Sequence, residues 1–183
     1  MENIENENQM NRRLFLKELG LIGTGVLALS SPWLSAFADV NHTAKERCRV
    51  GLIGPGSRGR FLLSFLLQNP KVEVVAFADI YQPSLDEALK MVPQAKTYKD
   101  YRRLLADKNI DAVVVATPLN THCQIVLDAF DAGKNVYCEK TIGYTMEECN
   151  NMYKKHLSSG KIFFSGQQRL YDPRYIKAMA LVH

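Results

Sequence analysis

The chain has 183 residues with 23 Lys and Arg against 19 Asp and Glu, a net charge of +4 and 46% hydrophobic residues. This is the composition of a globular protein with one domain or slightly more, and it excludes collagen-like, coiled-coil and wholly disordered chains. The basic residues are scattered rather than clustered with aromatics, which argues against a nucleic-acid partner. The 4 cysteines include no CxxC pair and are too few for a disulfide scaffold, so they read as free thiols.

The chain begins with an export address. Asn11-Arg12-Arg13-Leu14-Phe15-Leu16-Lys17 matches the twin-arginine pattern. An uncharged run follows, from Leu19 to Ala38. Its apolar core, Leu19 to Leu29, is diluted by glycines and broken by Ser30-Ser31-Pro32. It is shorter than the roughly 20 apolar residues a spanning helix needs, and it suits the apolar core of a signal peptide. Ala36-Phe37-Ala38 places small residues where a signal peptidase reads, so cleavage is expected before Asp39. The alternatives are an uncleaved anchor or a chance Arg-Arg pair. The expectation is thus a signal at 1–38, a linker at 39–47, export by the twin-arginine machinery to the periplasm and no stable membrane anchor.

From Cys48 onward the pattern alternates. Strands are expected at Arg49–Ile53, Val72–Ala78, Lys96–Tyr98, Ala112–Ala116, Asn135–Cys138 and Ile162–Ser165. Between them, apolar residues at helical spacing predict helices around Phe61–Leu66, Ser84–Met91, Tyr101–Leu105, 121–132 and 146–158. Asp100 and the capping box Thr145-Met146-Glu147-Glu148 mark two helix starts. Asp172-Pro173 opens one more helix, in which the chain stops. Strict alternation predicts an α/β fold, a Rossmann-type doubly wound parallel sheet with helices on both faces. The dinucleotide-binding domain is expected to span 48–171, with 172–183 starting a further region.

The first strand runs directly into Gly54-x-Gly56-x-x-Gly59. Three such glycines alone are weak evidence. Here a strand precedes them, a helix follows, and Asp79 lies 20 residues beyond Gly59 at the end of the second strand. Each glycine has its own physical role. Gly54 permits the tight turn, Gly56 the close approach of a diphosphate, and Gly59 close helix–strand packing. The helix start then offers the amides of Ser57, Arg58 and Gly59 and a positive dipole end to an anion. The Arg58 side chain points either to a phosphate or to solvent. Asp79 can accept from both hydroxyls of the adenosine ribose and repels a 2′-phosphate, which favours NAD over NADP. No spacing suggests a metal site.

Three more segments follow. They are Ala116-Thr117-Pro118-Leu119-Asn120-Thr121-His122, Gly133-Lys134-Asn135-Val136-Tyr137-Cys138-Glu139-Lys140 and Gly166-Gln167-Gln168-Arg169-Leu170-Tyr171-Asp172-Pro173. With the glycine loop they resemble the Gfo/Idh/MocA family of oxidoreductases. The resemblance implies an NAD-dependent enzyme transferring hydride to or from a sugar, cyclitol or glycoside. It implies Lys140 as the catalytic lysine and Glu139 at the nicotinamide ribose. Thr117, Pro118, Asn120, His122 and Arg169 become cofactor neighbours. It also implies a C-terminal α/β substrate domain, absent from this chain, which carries a catalytic His or Asp and any homo-oligomer contact. The residues present should therefore bind cofactor weakly and not turn over substrate alone.

This chain has Thr141 where the family has proline after the lysine. In the family that bond tends to be cis, and before threonine the cis form costs about 2.5–4 kcal/mol, so either isomer is open. Export adds a further expectation. There is no free nicotinamide pool outside the cytoplasm, so the cofactor should be loaded before export and held tightly. Two other readings stand beside the oxidoreductase. One is a glycosidase or lyase that uses NAD transiently through a keto-sugar. The other is a non-catalytic sugar-binding protein on the same fold.

Overall fold

A computed structural model describes residues 47–167 and 172–182, all within one unit, Lys45–His183. The expected signal, nearly all of the linker and Arg169 lie outside the described residues. The strands are β1 (Cys48–Ile53), β2 (Val72–Ala78), β3 (Lys96–Tyr98), β4 (Ala112–Val115), β5 (Asn135–Glu139) and β6 (Phe163–Gly166). The helices are α1 (Ser57–Leu66), α2 (Gln82–Met91), α3 (Tyr101–Leu105), α4 (His122–Asp131), α5 (Met146–Ser159) and α6 (Pro173–Val182). A single 3-10 turn, Leu119–Thr121, leads into α4.

The six strands form one sheet in the order β3-β2-β1-β4-β5-β6, and every neighbouring pair is parallel. This is the doubly wound arrangement expected from the alternation. Strand residues divide between two layers because successive side chains point to opposite faces. Val50, Leu52, Val74, Phe77 and Val114 pack with Leu63 of α1 and with Leu85 and Ala88 of α2. Ile53, Ala76, Ala78, Val113 and Val115 pack with Leu104 of α3, Val126 and Phe130 of α4, and Met152 of α5. A sheet with apolar residues on both faces needs helices on both faces, and the chain supplies them alternately.

The helix starts follow the expected caps, with small shifts. Asp100 accepts from Arg102 N at 2.9 Å. Thr145 Oγ1 accepts from Glu148 N at 3.1 Å, but the Glu148 carboxylate reaches back to the Tyr144 amide at 2.6 Å, one residue before the cap. Helix α2 begins at Gln82, two residues before the expected Ser84, because Pro83 fits the first turn, where its missing N–H has no partner to lose.

Lys134 ties two elements together. It is 6% exposed at the amino end of β5, and its ammonium donates to Asp107 O and Ile110 O, each at 2.8 Å. It ties the chain between α3 and β4 to the sheet, at the opposite end from Glu139. Replacing Lys134 with Met keeps the apolar stem and removes the ammonium from Ile110 O and from Asp107 O, the latter keeping the Ile110 amide at 3.2 Å. The expected loss is about 1.5–3 kcal/mol in chemical denaturation. An unchanged unfolding midpoint would show that water replaces both bonds.

Candidate functional site

Parallel strands that diverge from a central pair leave a crevice at their carboxyl ends. Here that pair is β1 and β4, because the chain order reverses between them. A cleft of about 640 Å³ lies there. Its walls include Gly54, Gly56, Asp79, Thr117, Pro118 and Asn120, six of the residues singled out from sequence.

The glycine loop is built as its chemistry demands. Gly54 has φ +83, and a Cβ there would meet the Ala116 carbonyl carbon and the Thr117 amide nitrogen at 2.8 Å. A Cβ on Gly59 would lie 2.2 Å from Gly54 O, so helix α1 sits directly against the end of β1. Gly56 differs, because a Cβ on it meets nothing within 4 Å. The open side of Gly56 faces the cleft, as close approach by a ligand requires. No side chain caps α1 and no acidic residue sits in its first turn. Helix geometry therefore presents first-turn amides and a positive end to an anion.

Asp79 follows the last residue of β2. Its amide donates to Tyr98 O at 3.1 Å, which fixes the backbone, and its Oδ1 accepts from Tyr81 N at 2.9 Å. Ile80 is 88% exposed beside it and lines the cleft. The sequence reading missed Tyr81, Lys99, Tyr101 and Arg102 on the same wall. They come from the segments after β2 and β3. Tyr81 is next to Asp79 in the chain, whereas only the pairing of β2 with β3 brings Lys99, Tyr101 and Arg102 to it.

Glu139 is 4% exposed at the end of β5. Its Oε1 accepts from Arg58 Nε at 2.9 Å, Arg58 Nη2 at 2.7 Å and the Tyr137 hydroxyl at 3.2 Å. Its Oε2 accepts from Lys140 N at 3.1 Å. The guanidinium of Arg58 is thus engaged by a carboxylate while its side chain stays 36% exposed. Burial and the neighbouring Glu139 charge push the Tyr137 hydroxyl up to about 12, so it stays a donor at neutral pH. Burial likewise pushes the Cys138 thiol up to about 12, which makes it inert. Lys140 is exposed next to this group, outside the cleft wall, and the Lys140–Thr141 bond is cis.

His122 is corrected from cofactor neighbour to internal clamp. It is 1% exposed, with Nδ1 2.9 Å from Thr141 O and Nε2 2.8 Å from Thr117 O. A neutral ring donates to one of these carbonyls and a protonated ring to both. Either way the imidazole spans the loop after β4 and the loop after β5. Helix α4 begins at His122, so its side chain turns down into the core while Asn120 and Thr121 stay at the cleft. Among the described residues no group of three His, Cys, Asp or Glu side chains could hold a metal ion.

The residues fit a dinucleotide: an open glycine, a bare helix start and a carboxylate at the end of the second strand. The three glycines should separate fold from site. Gly59→Ala forces a methyl onto a backbone oxygen and should cost more than about 2 kcal/mol of stability in urea denaturation. Gly56→Ala should stay within about 0.5 kcal/mol of the parent, since its methyl enters open space. Equal stabilities for the two variants would refute this division of roles.

Comparison with known proteins agrees with the geometry. Residues 48–167 match the family model described as an oxidoreductase family with an NAD-binding Rossmann fold. A glycosyl hydrolase family 109 protein of Stenotrophomonas maltophilia is 31% identical over 185 aligned positions, covering 94% of this chain and 39% of that protein. The myo-inositol 2-dehydrogenase of Thermotoga maritima is 30% identical, covering 70% of this chain and 39% of that one. Among solved structures, myo-inositol 2-dehydrogenase from Lactobacillus plantarum superposes with a TM-score of 0.68 at 31% identity, over 74% of this chain and 41% of that chain. The scyllo-inositol dehydrogenase from Lactobacillus casei, solved with NAD(H) and scyllo-inositol, gives 0.69 at 25% identity, over 74% and 41%. The chain thus spans about two fifths of the length of these relatives. It belongs to the Gfo/Idh/MocA oxidoreductase family, whose NAD-binding Rossmann domain it forms over residues 48–167.

Proposed function

We propose that this chain is the cofactor-binding part of an exported, NAD-dependent oxidoreductase that acts on a sugar, cyclitol or glycoside. The observation that carries the cofactor choice is Asp79. Its carboxylate stands at the cleft with Oδ1 turned to the Tyr81 amide, which leaves Oδ2 to accept from a ribose hydroxyl. A 2′-phosphate at that position would meet a fixed negative charge, so NAD is favoured over NADP. The relatives named as inositol dehydrogenases support a polyol or sugar as substrate.

Bound there, a nicotinamide supplies hydride donor and acceptor chemistry. The chain's own residues perform the rest. Amides after Gly56 hold the diphosphate, Asp79 holds the adenosine ribose, and Glu139 offers an acceptor near the second ribose. The Lys140 ammonium, exposed beside Glu139, hydrogen-bonds a substrate oxygen and holds its proton. Thr117, Pro118 and Asn120 shape the wall between these ends. Substrate selection and the remaining catalytic group belong to a C-terminal domain beyond this chain.

Export rests on Arg12-Arg13 and the apolar run after them, and it requires a cofactor that does not dissociate. A captive cofactor would have to be restored in place. Either a second substrate would take the hydride, or the same substrate would receive it back after an intervening bond cleavage. The second scheme is the glycosidase reading, and one observation favours it. The match to the glycosyl hydrolase family 109 protein covers 94% of this chain, which requires it to run through most of residues 1–46. The match to the Thermotoga dehydrogenase covers 70%.

Full-length protein from the exported fraction should release about one NAD(H) per chain on denaturation, and release of none would overturn the captive cofactor. Steady cleavage of a glycoside with no accumulation of reduced cofactor selects the glycosidase; stoichiometric reduction selects the dehydrogenase. Asp79→Ala should weaken NAD about tenfold while leaving NADP nearly unchanged. Equal losses for both would remove Asp79 as the discriminating group.

A further inference from the structure

We infer that Arg58 is a positioning residue for the second ribose of the dinucleotide, acting through Glu139 rather than on the diphosphate. The inference rests on the NAD reading above and extends it to a side chain that the glycine motif itself does not specify.

The geometry is one-sided. Arg58 is the second residue of α1, directly after the glycine loop, yet its guanidinium reaches a residue 81 positions away in the chain. Both Nε and Nη2 donate to the same oxygen, Glu139 Oε1, at 2.9 and 2.7 Å. The Tyr137 hydroxyl donates to that oxygen as well, at 3.2 Å. Three donors fill Oε1. Oε2 takes only the Lys140 amide, at 3.1 Å, and keeps a lone pair to offer. The carboxylate is thus held by one oxygen and available at the other, next to Lys140.

Each donor is itself held in place. The Arg58 guanidinium carbon lies 5.0 Å from the centre of the Phe61 ring, and Phe61 packs edge-on against Phe65 with centroids 5.0 Å apart. Tyr137 stacks on Phe164 at 5.8 Å. Its hydroxyl lies 2.7 Å from where a Cβ on Gly166 would be, so a larger residue there would displace it. Glu139 is buried, and a buried carboxylate needs a partner that offsets its lost hydration. Arg58 is the cation that does this. Through it the start of α1, whose amides are offered to the diphosphate, is tied directly to Glu139 at the end of β5.

Three probes separate this role from phosphate binding. ADP carries the adenosine and the diphosphate but no second ribose, ADP-ribose adds that ribose, and NAD adds the nicotinamide. The full-length protein, refolded free of bound cofactor, is titrated with each, as the parent and as Arg58→Met, Arg58→Lys, Glu139→Gln and the Arg58→Met/Glu139→Gln double variant. Arg58→Met should keep its ADP affinity within about twofold and lose about tenfold for ADP-ribose and NAD. Glu139→Gln should show the same split, and the double variant should be no worse than either single one, since both changes break one device. Arg58→Lys keeps a cation but not two N–H groups on one oxygen, so its loss should be intermediate. If Arg58→Met does not fold by circular dichroism, Arg58→Lys carries the test, again with ADP affinity retained.

Equal loss for ADP and NAD would place the arginine on the diphosphate and overturn the inference, as would unchanged ADP-ribose affinity in the variants. A parent chain that binds none of the three probes would overturn the cofactor reading itself, and the inference with it.

Discussion

The site depends on one close contact. Gly59 brings the first turn of α1 so near the end of β1 that a methyl group would lie 2.2 Å from Gly54 O. That contact aims the amino end of α1 at the crevice between β1 and β4. Without it the helix would stand off the sheet, the first-turn amides would face solvent, and the cleft would lose its anion-binding floor. A helix start attracts anions weakly in water, because its partial charge is screened and falls off within a turn. It becomes a site when sheet topology encloses it, which the reversal of strand order does here.

The second constraint fixes two carboxylates at the carboxyl ends of their strands. Asp79 stands at the end of β2, and Glu139 at the end of β5, with β1 and β4 between them in the sheet. Their spacing is set by the strands. Their side-chain orientation is set by local donors: the Tyr81 amide for Asp79, and Arg58 and Tyr137 for Glu139. His122 adds a third tie, between the loops after β4 and β5.

Legibility differed by residue. Val113, Val114 and Val115 announced a buried strand because β-branched residues without alternation suit a sheet covered on both faces. Gly54, Gly56, Gly59 and Asp79 were legible because they act through the backbone, or beside it, at fixed spacing along one strand–turn–helix–strand unit. Arg58 was not, since an arginine in a loop has a long reach and no sequence rule selects its partner 81 residues away. His122 was misjudged for a related reason. The resemblance of the Ala116–His122 segment implied the cofactor, while the ring is buried between Thr117 O and Thr141 O. Lys134 sat in a motif that pointed to the site, and its ammonium serves the opposite end of the sheet.

The sequence by itself determined the alternation of strand and helix, the glycine turn, the acidic residue at the end of β2 and the family resemblance. These depend on periodicity and on backbone sterics, which act over a few residues. Only the tertiary structure decided which charged groups meet: Arg58 with Glu139, Lys134 with two carbonyls, His122 between two loops. Such pairings are chosen by what burial brings within about 3 Å, where an unpartnered polar group is costly and a paired one is stable. Distance along the chain carries no record of that choice.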